Sequence, residues 1–317
     1  MTVAITGAGG FIGRVLAHRL HEGPTNPISI SSQWKELPGG RPTPSLLDVD
    51  GWARSFKGAE VVVHLLGRAH ILRERQGNPS EAFRQVNVDA TQAVLEGARR
   101  AGVRRLVFVS SVGVHGPANG RVLRESDDLD ASELYARSKL EAEKLVIEFA
   151  QAADFEWVIV RPPLVYGPGC PGNLHRLMEL IYKGVPLPFG AVAGARSLIG
   201  VDNLSDFLVT CSKHPAAANQ AFLVSDGEDI ATGDLVRVLA QGMGRSPRLL
   251  NVPYELLLWA AKTFRKEELI RKVCDPLQVD SKKARILLGW HEVRSLSDGL
   301  LATARAFSES KKGGAAK

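Results

Sequence analysis

The chain has 317 residues, 44% of them hydrophobic and 23% charged, which is enough to bury a sizeable core in an ordinary globular composition. Its formal charge is +6, partly placed at Lys311, Lys312 and Lys317, but no basic cluster is interleaved with aromatics, which speaks against a nucleic-acid partner. The longest clean apolar run, residues 256–261, is too short to span a bilayer, and the three cysteines (Cys170, Cys211, Cys274) lack metal-ligand spacing and fit free thiols in a reducing compartment.

In chain order, Val3-Ala4-Ile5-Thr6 predicts a first strand, and residues 12–20 carry helical periodicity. A strand starting at Thr2 with a Gly-rich turn directly behind it leaves no leader pattern, so a cytoplasmic location is expected. Residues 28–30 make a second short run. Val61-Val62-Val63-His64-Leu65-Leu66 is a third, rich in β-branched residues and apolar on both faces. Residues 91–100 read as a helix closed by Gly102, residues 106–109 as a buried strand, and residues 157–160 as another. Continuous apolar strands separated by helices indicate a doubly wound parallel sheet covered on both faces, an α/β fold of the Rossmann kind. After Arg161 the chain becomes loop-rich, with Pro162-Pro163, Gly167-Pro168-Gly169, Pro171-Gly172 and Pro186-Leu187-Pro188. Residues 221–224 look like a late strand returning to the sheet, and the last ninety residues are mainly helical. The expected organisation is a dinucleotide-binding domain over 1–162, with a returning segment near 196–224. A smaller, mainly helical lobe takes 163–195 and 225–309, and 310–317 form a disordered tail.

Gly7, Gly10 and Gly13 have G-x-x-G-x-x-G spacing between the first strand and the first helix. A phosphate needs backbone N–H groups pointing at it with no Cβ in the way, and a helix N-terminus adds a favourable dipole. Phe11 and Ile12 complete this turn, whose position marks a dinucleotide site more clearly than its glycines do. The second strand ends Ile30-Ser31-Ser32-Gln33 without the acid that usually holds the ribose hydroxyls. Ser31, Ser32, Lys35 or Arg41 are placed to receive a 2′-phosphate instead, which favours NADP over NAD. Asp48-Val49, read as following a short strand, suits the adenine amino group, the plainer reading of Asp48 being a loop cap.

Tyr135-Ala136-Arg137-Ser138-Lys139 opens a predicted helix, where residues four apart share a face. The ammonium is expected to favour the phenolate and draw the Tyr pKa towards working pH. Ser111 follows a buried strand, where its hydroxyl can bond a reacting oxygen. The order of Gly-rich turn, Ser-Ser after a strand, and Tyr-x-x-x-Lys some 25 residues later separates this set from a chance surface pair.

On these residues the chain resembles the extended short-chain dehydrogenase/reductases, the NAD-dependent epimerase/dehydratase group that acts on nucleotide sugars, over residues 2 to about 306. His64-Leu65-Leu66-Gly67 is similar to the family segment beside the nicotinamide ribose. Asn87-Val88-Asp89-Ala90-Thr91 is similar to N-V-x-G-T with Ala90 for Gly, and Ser110-Ser111-Val112-Gly113-Val114-His115-Gly116 to S-S-x-x-V-Y-G with His115 for Tyr. Residues 161–169 resemble the loop into the substrate lobe. The resemblance implies Ser111, Tyr135 and Lys139 as the catalytic set, with Lys139 also on the nicotinamide ribose. Leu65, Leu66, Gly67, Asn87 and Pro162 would lie along the cofactor, and Val112 beside the substrate. It further implies Asn173 and Arg196 on a nucleoside diphosphate and Pro188 and Phe189 against uracil. The plainer readings are a helix cap for Asn173, core packing for Phe189 and a surface ion pair for Arg196.

Leu164 stands where many epimerases and dehydratases carry a polar residue, and the dehydratases' Asp-Glu pair is replaced by Val112-Gly113. The loops look most like the bacterial branch reducing UDP-4-keto-6-deoxy-N-acetylhexosamines for surface polysaccharide. A UDP-hexose 4-epimerase with tightly held NAD, a steroid- or dihydroflavonol-type reductase and a redox-silent dinucleotide-binding protein are the rival readings. No metal is expected, and relatives commonly form homodimers through the Tyr-x-x-x-Lys helix.

Overall fold

The computed structural model describes residues 1–69, 78–263 and 267–314. The chain runs β1 (Thr2–Thr6), α1 (Phe11–Glu22), β2 (Asn26–Ile30), β3 (Gly40–Arg41), α2 (Val49–Ser55), β4 (Val61–His64), α3 (Pro79–Arg84), α4 (Ala90–Arg100) and β5 (Arg105–Val109). It continues with β6 (Val122–Leu123), α5 (Leu134–Ala153), β7 (Glu156–Arg161), β8 (Leu164–Tyr166), α6 (Asn173–Tyr182), β9 (Ala195–Gly200), α7 (Val201–Lys213) and β10 (Gln220–Leu223). The last elements are β11 (Asp229–Ala231), α8 (Thr232–Gly242), α9 (Tyr254–Thr263), α10 (Glu267–Cys274), β12 (Gln278–Val279), α11 (Lys282–Leu288) and α12 (Leu296–Gly314).

Seven of these strands form one sheet in the order β10-β7-β5-β4-β1-β2-β3, and every pairing in it is parallel. Side chains alternate across a strand, and here both faces are apolar. Val3, Ile5, Val61, Val63, Val107, Val158 and Val160 pack on one face against Leu16 and Leu20 of α1 and Leu204, Phe207 and Leu208 of α7. Ala4, Val62, Leu106, Phe108 and Ile159 face the other way, onto Trp52 of α2, Val94 and Ala98 of α4 and Ala142 and Val146 of α5. That is the doubly wound α/β sheet expected from the sequence.

The strand order reverses between β1 and β4, and such a switch point opens a crevice at the carboxyl ends of the strands. An ideal Cβ on Gly7, whose φ is +70°, would lie 2.9 Å from Leu66 N. The turn after β1 therefore rests directly on the turn after β4. Only a glycine reconciles that approach with a left-handed backbone.

The segments after Arg161 build a second core from Tyr166, Leu174, Met178, Leu198, Leu235, Leu239, Leu300 and Phe307. A three-stranded sheet, β11-β9-β8, belongs to this half, and a two-stranded one, β12-β6, ties its Gln278–Val279 to Val122–Leu123 of the first half. The Pro and Gly clusters of this stretch predict loops, and its strands escape prediction because they are short and lack alternation. The sequence also predicts a disordered tail over 310–317, whereas α12 continues to Gly314 and the last three residues lie outside the described ones. Lys311 explains the extension: its Nζ donates to Glu179 of α6 at 3.0 Å and lies 5.3 Å from the Phe307 ring centroid.

Candidate active site

The turns carrying the expected cofactor residues gather at the carboxyl ends of β1, β2, β4, β5 and β7. Gly10 is the N-cap of α1, with no side-chain capping bond and no acid in the first turn, so the amides of Phe11, Ile12 and Gly13 face an anion-compatible end. A Cβ on Gly13 would fall within 2.7 Å of Ala8 Cα, so that glycine serves helix–strand packing. These residues fit a dinucleotide pyrophosphate: the cradle is one that side chains would fill.

Beyond β2, Ser31 Oγ accepts from Gln33 N at 3.0 Å. Arg14, which the sequence reading missed, reaches across from α1 to Gln33 Oε1, donates to Gly9 O at 2.9 Å and pairs with Glu36 at 3.7 Å. Ser32 and Lys35 are exposed nearby, with Lys35 over the Trp34 ring. Arg41 is turned away, donating to Ser55 O and Lys57 O at the end of α2. Asp48 is the N-cap of α2, accepting from Gly51 N at 2.9 Å, so the plainer of its two readings has the structural support.

The turn expected beside the nicotinamide is a hydrogen-bonded knot. Asn87 Oδ1 accepts from Arg68 N at 2.8 Å, while its amide donates to Arg68 O and to Ser138 Oγ. A Cβ on Gly67 would sit 3.2 Å from Asn87 Oδ1 and 3.9 Å from Lys139 Nζ, so Gly67, Asn87 and Lys139 converge without contacting one another through a side chain at 67. Leu65 N and Leu66 N donate to Thr6 O and Thr6 Oγ1, tying this turn to β1.

Ser111 caps a 3₁₀ turn over Val112–His115, its Oγ accepting from Gly113 N at 3.1 Å. Ser110 N donates to Val160 O and Val112 N to Pro162 O, which locks this turn beside the end of β7. A Cβ on Gly113 would meet both Ser111 Oγ (3.4 Å) and Ala136 Cβ (3.5 Å), so the Ser111 turn lies against the first turn of α5. Tyr135 and Lys139 stand in that part of α5, and the Tyr135 ring is 6.2 Å from that of Phe83.

Electrostatics here differ from the simple expectation. Lys139 is buried, with Nζ 4.0 Å from the Phe108 ring centroid, and burial lowers its pKa to about 7 against the opposing pull of Glu143. Tyr135 is pushed up to about 12 by burial rather than drawn down by the ammonium. The ammonium lies over the aromatic face, and the phenol is held neutral.

The expected substrate residues lie in the second half. Asn173 is exposed at the first position of α6, and Arg196, on β9, donates to Asp275 O. Burial lowers the Arg196 pKa. Phe189 is buried in the second core, so packing is its structural role, and Pro188 beside it is half-buried. Among the described residues no cluster of three or more His, Cys, Asp or Glu could hold a metal ion, and no helix is long and apolar enough to cross a membrane. The three cysteines are buried free thiols.

The chain is similar in sequence and in fold to known proteins. The family model "NAD dependent epimerase/dehydratase family" matches residues 3–225. A UDP-glucose 4-epimerase of Vibrio cholerae is 39% identical over 255 residues, covering 80% of this chain and 78% of its own. The N-acetyl-α-D-glucosaminyl-diphospho-undecaprenol 4-epimerase of Escherichia coli O157:H7 is 26% identical, over 98% of this chain and 96% of its own. Among solved structures, the Bacillus cereus UDP-glucuronic acid 4-epimerase in complex with NAD superposes with a TM-score of 0.79 at 21% identity, over 98% of this chain and 99% of its own, which speaks to fold. Sequence and fold together place this chain in the NAD dependent epimerase/dehydratase family, as an enzyme of the short-chain dehydrogenase/reductase type.

Proposed function

We propose that the protein exchanges hydride between a nicotinamide cofactor and C4 of a UDP-linked sugar, and that its net reaction is reduction of a UDP-4-keto-6-deoxy-N-acetylhexosamine to the 4-hydroxy sugar. The observation that carries the C4 chemistry is the packing of the Ser111 turn on the first turn of α5, beside the convergence of Gly67, Asn87 and Lys139. A bound nicotinamide dinucleotide supplies the hydride. Tyr135, neutral in its buried setting, donates its proton to the oxygen on C4, and Ser111 hydrogen-bonds the same oxygen. Lys139, poised near neutrality, binds the ribose and stabilises the phenolate left on Tyr135. Asn173 and Arg196 take the diphosphate, and Pro188 lies by the uracil with Phe189 supporting it from the core.

The reductive direction is favoured by Leu164, which is 40% exposed on β8 and offers an apolar contact where a hydroxylated hexose would need a polar one. The set around β2, with Ser31, Ser32, Lys35 and Arg14 but no acid at the strand end, favours NADPH; the Glu36 carboxylate on Arg14 works against it. A second reading, UDP-hexose 4-epimerisation with tightly bound NAD, draws support from the 39% identity to the Vibrio cholerae UDP-glucose 4-epimerase.

One assay separates them: purified protein with NADPH or NADH and enzymatically generated UDP-4-keto-6-deoxy-N-acetylglucosamine, followed at the reduced-nicotinamide absorbance. Stoichiometric oxidation supports the reductase. Interconversion of UDP-glucose and UDP-galactose without net oxidation supports the epimerase, and inactivity in both sinks C4 chemistry on these sugars.

A further inference from the structure

Beneath the candidate catalytic groups lies a buried polar cluster that substrate binding does not use. Glu143 stands one helical turn beyond Lys139 on α5, on the same face. Arg161, the last residue of β7, forks onto it, with Nε 3.1 Å from Oε1 and Nη2 2.7 Å from Oε2. The remaining Nη1 donates to His115 Nε2 at 3.2 Å, and His115 closes the turn that Ser111 caps. The Arg161 and Glu143 side chains are 6% and 2% exposed. Burying two charges costs as much as their attraction returns, so apolar residues would serve packing equally well. What they would not do is link α5, the Ser111 turn and the end of β7 around a charge.

We propose that Glu143 is a positioning residue that supplies the counter-charge for Lys139, its carboxylate held in place by Arg161. The inference rests on Tyr135 and Lys139 being the catalytic pair. Lys139 is faced by Tyr135 and Glu143 from its own helix, by His64 from β4 and by the Phe108 ring from β5. His64 is neutral in its buried site, which leaves Glu143 as the anion acting on the ammonium. At the far side of the cluster, Asp127 acts on His115, and Lys283 of α11 feels Arg161. Burial works to discharge Lys139, and Glu143 opposes it.

The test reads Lys139 directly and needs no substrate, so it stands apart from the identity of the sugar. Protein carrying ¹³Cε-labelled lysine is titrated by NMR, and the Lys139 resonance is assigned by its loss in Lys139→Arg. Glu143→Gln is expected to lower the Lys139 midpoint by about one pH unit or more. Glu143→Asp keeps the charge and should restore most of the shift. His115→Phe loosens the same cluster without removing an anion, so it should lower Tm while leaving the midpoint in place. If Glu143→Gln does not fold, Glu143→Gln with Arg161→Gln leaves no stranded guanidinium and should still show a downward, though smaller, shift. An unmoved midpoint in the Gln variants, or an equal shift in His115→Phe, overturns the proposal.

Discussion

His64 and His115 are both buried, and their neighbours fix them in opposite tautomers. Thr91 Oγ1 donates to Asn87 O at 2.7 Å, so it can only accept from His64, at 3.0 Å from Nε2. Thr6 Oγ1 takes the Leu66 amide and donates to His64 Nδ1 at 2.6 Å. His64 is therefore the Nε2–H tautomer. His115 accepts from Arg161 at Nε2, so its proton is on Nδ1, which is buried with no partner. Burial, helped by the Lys139 charge, lowers the His64 pKa to about 3. Between that value and 6.5 the unfolded chain binds a proton that the folded one refuses, so this stabilisation is full above pH 6.5 and drains away as pH falls towards 3. The loss from pH 6.5 to 4.5 should be about 2–3 kcal/mol in urea unfolding, and His64→Asn should flatten that slope. A slope unchanged in the variant would move the acid sensitivity elsewhere. Tyr135→Phe removes only the hydroxyl proposed to donate the proton. We expect turnover to fall by about 10²–10⁴-fold, with the cofactor dissociation constant unchanged by fluorescence titration. That the Ser111 turn would meet the helix carrying Tyr135 and Lys139 was legible because spacing along one strand end and one helix encodes it. Arg14, Arg161 and Glu143 act through contacts between distant segments, and Glu143 alone left a local trace, four residues from Lys139.

At the scale of elements, the strands of the main sheet could be read because burial on both faces writes itself as unbroken Val-Ile-Leu runs. β3, with two residues, and β8, β9 and β11 could not, because their partners come from sequence-distant loops and their side chains do not alternate. The tail was misread for a related reason: Lys311 looks like solvated charge until α6 brings Glu179 to it. The turn from β1 into α1 allows a sharp element-level test. Gly13→Ala would force a Cβ onto Gly7 O and Ala8 Cα, all backbone atoms that cannot give way cheaply. It should cost roughly 1–3 kcal/mol of stability and weaken cofactor binding together. Gly102, also at a helix–strand junction, has φ +73° but nothing within 4 Å of its Cβ position. Gly102→Ala should cost about 1 kcal/mol through backbone strain alone and leave cofactor affinity as it was. Thermal unfolding with and without NADPH or NADH measures both quantities, and equal effects of the two variants on cofactor affinity would refute the packing argument.

For the whole molecule, the question is how a lobe assembled from separate segments is held in register with the sheet. Part of the answer lies in a buried joint. Asp226, just beyond β10, accepts from Tyr166 Oη at 2.6 Å, from Gly200 N at 3.0 Å and from Asn203 Nδ2 at 2.7 Å. Asn203 in turn donates to Arg294 O and accepts from Val293 N and Arg294 N, directly ahead of α12. Asn203 sits on α7, whose neighbouring Leu204, Phe207 and Leu208 pack under the main sheet, whereas Tyr166 belongs to the second core. The joint thus fixes α12 and β8 of the lobe to a helix of the sheet. The cofactor turns lie wholly on the sheet side, while Asn173, Pro188 and Arg196 lie beyond the joint. Asn203→Ala removes one of the three donors to the Asp226 carboxylate, leaves the Val293 and Arg294 amides without their acceptor, and should cost roughly 2–4 kcal/mol. Loosening it should also raise the KM for the UDP-sugar several-fold while the cofactor dissociation constant moves little, because in the proposed site only the sugar is gripped from both sides. Steady-state kinetics beside cofactor titration separates the two. A parallel rise in both constants would mean that sheet and lobe respond as one body, and that the joint stabilises the fold without setting the width of the substrate crevice.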